Sequence, residues 1–109
     1  MEISDLLKIY AGKLKMIFTG HLKKVILYGS YARGDFNEFS DIDIMVLTDY
    51  SEDEIRRITS AVADLSFDME MDYGIRFSPV IENEDHFTKW VKYLPYYRNV
   101  SEEGVTVNG

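Results

Sequence analysis

Leu27-Tyr28-Gly29-Ser30-Tyr31-Ala32-Arg33-Gly34 and Ser40-Asp41-Ile42-Asp43-Ile44-Met45-Val46 decide how the rest of the chain is read. An apolar run closes in Gly-Ser, and after ten intervening residues Asp-Ile-Asp opens a second apolar run. Residues two apart on a strand project to the same face. Asp41 and Asp43 therefore stand side by side, with Ile42, Ile44 and Val46 on the opposite face. Met45 and Leu47 share the carboxylates' face, so that face is expected to be partly covered. Two close carboxylates repel unless a proton or cation lies between them, and an unpaired carboxylate in a covered place is costly. Hard divalent cations such as magnesium take oxygen ligands and share them with phosphates. The pair reads as a metal site awaiting a phosphorylated ligand. Gly29 permits a sharp turn and a close ligand approach. The backbone N–H groups of a short helix starting there would suit a phosphate, and the Ser30 hydroxyl adds a donor. The Gly-Lys-Ser/Thr of a P-loop is missing.

The elements around this stretch follow from periodicity. Ser4 is expected to cap a first helix whose stripe is Leu6, Leu7, Ile9, Tyr10, Leu14 and Ile17, ending at Gly20. Lys24 to Tyr28 reads as a strand, Gly29 to Arg33 as the start of a short helix, Gly34 to Ser40 as a loop, and Asp41 to Leu47 as a second strand. Ser51 and Glu54 match a capping box, followed by Ile55, Ile58, Val62 and Leu65 at helical spacing. Asp72 to Ile81 reads as a third strand, with Pro79 favouring an edge or strand end. Asn83 is expected to cap a last helix that buries Phe87, Trp90, Val91 and Leu94 and stops at Pro95. Tyr96 to Gly109 has no assignment. The order implies one α/β or α+β domain over residues 1–109, a small mixed sheet flanked by helices.

Composition narrows the functional classes. The 109 residues suit one domain, and 46% hydrophobic content with 14% aromatics supports a core. The net charge of −7 argues against a general nucleic-acid binder. The absence of cysteine excludes disulfides, zinc–thiolate sites and thiol catalysis. The start of the chain lacks a signal-peptide pattern, and no apolar stretch approaches the roughly 20 residues of a spanning helix. A cytoplasmic protein is the default expectation. His21 is expected at a helix end near its dipole. His86 is expected to be solvated, and the two histidines form no zinc spacing. Tyr93, Tyr96, Tyr97 and Arg98 either form a contact surface, which would allow a homo-oligomer, or close the core.

The combination of Gly29-Ser30 with Asp41-x-Asp43 resembles the nucleotidyltransferase superfamily typified by DNA polymerase beta. The text from Tyr28 to Gly34 and from Ser40 to Val46 looks most like its short stand-alone members. These are the minimal nucleotidyltransferases, usually paired with HEPN-type proteins in toxin–antitoxin systems. The resemblance implies a polymerase beta palm-like fold. It implies that Gly29 and Ser30 hold the terminal phosphates of ATP or another nucleoside triphosphate, and that Ser40 also contacts the nucleotide. Arg33 either adds charge at the phosphates or is a solvated loop residue. Asp41 and Asp43 would hold two Mg2+ ions, which stabilise an in-line displacement at the α-phosphorus. A nucleoside monophosphate, AMP in the first reading, would pass to a hydroxyl of a partner protein, and the chain would be the antitoxin. Active members place a third acid on a neighbouring strand. Asp72 is the best-placed candidate, because Gly74 and Arg76 occupy the next positions on that strand face. If the third acid is missing, the alternative is a nucleotide-binding module that neutralises its partner by occupancy. Transfer to a small molecule is disfavoured, since the chain has no room for an acceptor domain.

Overall fold

The computed structural model describes residues 2–108. Its elements are α1 (Ile3–Phe18), β1 (Leu22–Tyr28), α2 (Ser30–Arg33), β2 (Ile42–Thr48), α3 (Glu52–Tyr73), β3 (Phe77–Asn83), α4 (Glu84–Trp90), α5 (Pro95–Glu103) and β4 (Val105–Thr106). The four strands form one mixed sheet in the order β3-β2-β1-β4. β1 runs antiparallel to β2 and β4, whereas β3 is parallel to β2. The expected mixed sheet flanked by helices is therefore present.

Each face of the sheet buries its own apolar set. Val25 and Leu27 of β1, Ile42, Ile44 and Val46 of β2, and Phe77 of β3 pack under α1 and α3. Ile26, Met45 and Leu47 point the other way, beneath Phe87 of α4 and Tyr97 and Val100 of α5. The alternation along β2 thus sends one set of side chains to each helical layer, and Ile42, Ile44, Met45 and Val46 are fully buried. Tyr10 joins three elements: its ring stacks on Phe77 at 4.2 Å between centroids, and its hydroxyl lies 2.7 Å from Ser66 Oγ. Burial pushes the Tyr10 phenol up to about 12.

Several boundaries differ from those expected. α1 begins at Ile3 with Glu2 at its cap position, so Ser4 lies inside the helix. The capping box of α3 is complete: Ser51 Oγ accepts from the Glu54 N–H, and the Glu54 carboxylate accepts from the Ser51 N–H. The larger correction is at its other end. α3 runs on to Tyr73, because Met69 continues the stripe four residues after Leu65 and is buried. Gly74, at φ 71°, closes it in the left-handed conformation. Asp72 is therefore an exposed residue in the last turn of a helix, not a strand residue.

Beyond β3, Asn83 caps α4 by accepting the His86 N–H at 3.0 Å. The single expected helix is two. α4 ends at Trp90, and Pro95 starts α5 in its first turn, where a missing N–H costs nothing. Trp90 and Leu94 consequently stay partly exposed, and Tyr97 and Val100 cover the sheet in their place. β3 is an edge strand, as Pro79 foretold. No helix among the described residues is long and apolar enough to cross a membrane.

Candidate active site

The end of β1 and the start of β2 lie side by side, with Tyr28 opposite Asp43 in the antiparallel register. The chain leaves β1 through Gly29 at φ 74° and ψ −155° and enters the single turn of α2. That turn is closed by the Arg33 N–H on the Gly29 carbonyl and the Gly34 N–H on the Ser30 carbonyl. Gly29 is required twice over. Its φ suits glycine, and a Cβ there would lie 2.2 Å from Asp43 Oδ2. The Asp43 carboxylate thus rests directly on the backbone of the glycine–serine turn.

Asp41, just before β2, and Asp43, within it, are both half-buried. Burial pushes the Asp43 carboxyl above its ordinary value, and the charges of Asp41 and Glu103 push it further, against a pull from Arg33. The parallel register sets Ser78 of β3 beside Asp43, and the Ser78 hydroxyl donates to Asp41 Oδ2 at 3.1 Å. The neighbouring strand therefore offers a hydroxyl where an acid was expected. Val80 and Glu82 follow Ser78 on that face, opposite Met45 and Leu47. Among the described residues no group of three or more acids or histidines could hold a metal ion. Two carboxylates repelling each other across a half-buried edge still fit a divalent cation that completes its shell with phosphate and water.

Sequence reasoning missed two further features. The Glu103 carboxylate, at the end of α5, accepts the Gly29 N–H at 2.9 Å and the Arg33 Nη1–H at 3.2 Å. Arg33 also donates from Nε to Asp35 at 3.2 Å. The hydroxyls of Tyr28 and Tyr96 meet at 2.6 Å beside Asp43. Burial first, then the Tyr96 hydrogen bond and the nearby acids, pushes the Tyr28 phenol far up. Both Glu103 and Tyr96 come from the tail that carried no assignment. Ser78 lies within the expected third strand, on the face of Asp72, Gly74 and Arg76, but only the register of β3 against β2 sets it beside Asp43.

Ser40 and Asp41 line a polar recess of about 290 Å3 together with Tyr31, Phe39, Gly74 and Arg76. A more apolar groove of about 480 Å3 runs between α3 and β3, past Val62, Phe67 and Pro79, without either aspartate. Of the expected site residues, Ser40 and Asp41 line the polar recess, whereas Gly29, Ser30 and Arg33 form the turn after β1 against which Asp43 rests. His21 departs from expectation: its Nδ1 pairs with Asp49 Oδ1 at 2.8 Å instead of facing a helix end. His86 is exposed, as expected.

The chain belongs to the polymerase beta nucleotidyltransferase family, whose pattern matches residues 12–87. A candidate protein adenylyltransferase of Methanocaldococcus jannaschii is 39% identical over 104 residues, covering 95% of this chain and 96% of that protein. A second protein of the same name and organism is 30% identical over 97 residues, covering 89% and 96%. The crystal structure of a candidate nucleotidyltransferase from Sulfolobus solfataricus superposes with a TM-score of 0.58 at 20% identity, covering 95% of this chain and 78% of that one. This last likeness is one of fold. The family transfers nucleoside monophosphates from nucleoside triphosphates, in most members with a divalent metal.

Proposed function

We propose that this chain transfers AMP from ATP to a hydroxyl of a partner protein, an HEPN-type toxin that the modification silences, in the cytoplasm. The observation that carries the reading is the seating of Asp43 on the Gly29–Ser30 turn, which brings a carboxylate of the acid pair against the backbone that opens α2. The names of the Methanocaldococcus jannaschii relatives favour a protein acceptor and an adenylyl group.

In this reading the Gly29 N–H, the Ser30 hydroxyl and the Arg33 guanidinium bind the β- and γ-phosphates, and Ser40 lies beside the nucleotide. Asp41 and Asp43 hold magnesium, which when bound neutralises the triphosphate and stabilises charge on the attacking and leaving oxygens. Ser78 orients Asp41 through its hydrogen bond. The acceptor oxygen forms a bond to the α-phosphorus, the bond to the β-phosphate oxygen breaks, and pyrophosphate leaves. The hydroxyl proton is released to water, and β3 presents the Ser78 hydroxyl beside Asp43. Asp72, exposed on α3, has no part in these steps.

Incubation with the partner, magnesium and labelled ATP tests the proposal. The partner should gain the mass of AMP, and Asp43→Asn should abolish the gain; a partner left unlabelled by the wild-type protein defeats it. Ser78 in the place of an acid favours one rival, a binding module that neutralises its partner by occupancy. That rival requires Asp43→Asn protein to go on suppressing the partner in cells.

A further inference from the structure

Glu103 occupies the donors that a phosphate would need. One carboxylate oxygen takes the Gly29 N–H, and both oxygens lie 3.2–3.3 Å from Arg33 Nη1. A backbone N–H serves one good acceptor at a time, so a phosphate oxygen on Gly29 and the Glu103 carboxylate exclude each other. The contact is also electrostatically poor: it brings a third acid to a half-buried edge already holding Asp41 and Asp43, with Arg33 the cation bonded to it.

The backbone behind Glu103 is firmly placed. Gly104 sits so close to β1 that a Cβ there would lie 2.4 Å from Ile26 Cγ2 and 2.3 Å from the Val100 carbonyl oxygen. Val105 and Thr106 pair with Leu27 and Ile26, and the Val107 N–H donates to the Val25 carbonyl. The side chain itself is 25% exposed, so it can rotate into water without moving α5 or β4.

We propose that Glu103 is an intramolecular competitor of the nucleotide, a carboxylate that fills the Gly29–Arg33 phosphate subsite in the empty enzyme and swings out when a triphosphate enters. The inference rests on the nucleotide reading of the Gly29–Ser30 turn. It deepens that reading by making occupancy of the site depend on a built-in anion. The apparent affinity for nucleotide is then lowered by the fraction of molecules in which the subsite is closed.

Calorimetric titration of wild type, Glu103→Gln and Glu103→Ala with magnesium–ATP, and separately with inorganic triphosphate, tests this. Removal of the carboxylate should tighten both ligands by about tenfold, the scale of one charge-assisted hydrogen bond. The glutamine variant, which keeps an acceptor oxygen but loses the charge, should fall between. Equal or weaker binding by both variants overturns the competition and leaves the nucleotide reading standing. Absence of binding in all three forms sinks both. A second measurement uses the wild-type protein alone: triphosphate should shift the Gly29 amide and the Glu103 carboxyl resonances together. A Gly29 shift with an unmoved Glu103 carboxyl overturns the competition even if a variant fails to fold.

Discussion

Gly29 tolerates no side chain, because a single methyl would meet the Asp43 carboxylate and the backbone conformation itself disfavours any other residue. Gly29→Ala should cost roughly 2 kcal/mol or more in chemical denaturation and should weaken magnesium–ATP binding. Asp43 makes the opposite trade. Its charge is held against burial and against Asp41 and Glu103, so the folded state would gain by its removal. Asp43→Asn should raise the thermal midpoint or leave it unchanged while abolishing transfer, the stability–activity conflict expected where a site concentrates like charge. A variant that loses both stability and activity would contradict this account of the acid pair.

At the scale of elements, α3 depends on its first turn. Ser51→Ala removes an acceptor for the Glu54 N–H and should cost about 1 kcal/mol. Glu54 adds a pH dependence of known sign. Its hydrogen bonds to Ser51 hold its carboxyl below the ordinary value. The folded chain therefore binds that proton less readily than the unfolded chain. The stabilisation is fully present above the ordinary glutamate range and is lost as pH falls through the lowered value. Comparison of Glu54→Gln with wild type across acid pH should show a difference in thermal midpoint near neutrality that shrinks on acidification. α5 is the other decisive element. It closes the Met45 face of the sheet through Tyr97 and Val100 and delivers Glu103 to the site.

At the scale of the molecule, two apolar layers share one sheet, and β2 contributes to both. Met45→Ala should cost roughly 2–5 kcal/mol, measured by denaturant unfolding, because its side chain is fully buried between β2 and the α4–α5 layer. Ending the chain after Leu94 removes Tyr97, Val100 and the β4 edge together. It should expose the Met45–Leu47 face, seen as increased binding of a hydrophobic dye and a lowered thermal midpoint. The same truncation deletes Glu103, so its nucleotide affinity is no measure of the competition proposed above.

Much of this was legible locally. The alternation of Ile42, Ile44 and Val46 against Asp43, Met45 and Leu47 described β2 and both its faces. Ser51 and Glu54 marked where α3 begins, and Gly29-Ser30 with Asp41-x-Asp43 marked the family. Local periodicity ends the helical stripe at Leu65 and opens a strand at Asp72, whereas Met69 continues the stripe and carries Asp72 into the helix. Local sequence also made Pro95 a stop, where the turn after Trp90 makes it a start. What the chain alone determined is chemistry within reach of a few bonds: strand periodicity, caps, a glycine turn and two acids two residues apart. Only the tertiary structure placed Ser78 beside Asp43 and Glu103 on Gly29. The first depends on the register of parallel strands joined through a 22-residue helix. The second depends on a tail docking against a strand some 74 residues earlier. Such pairings are set by the packing of whole layers, and no neighbouring residue records them.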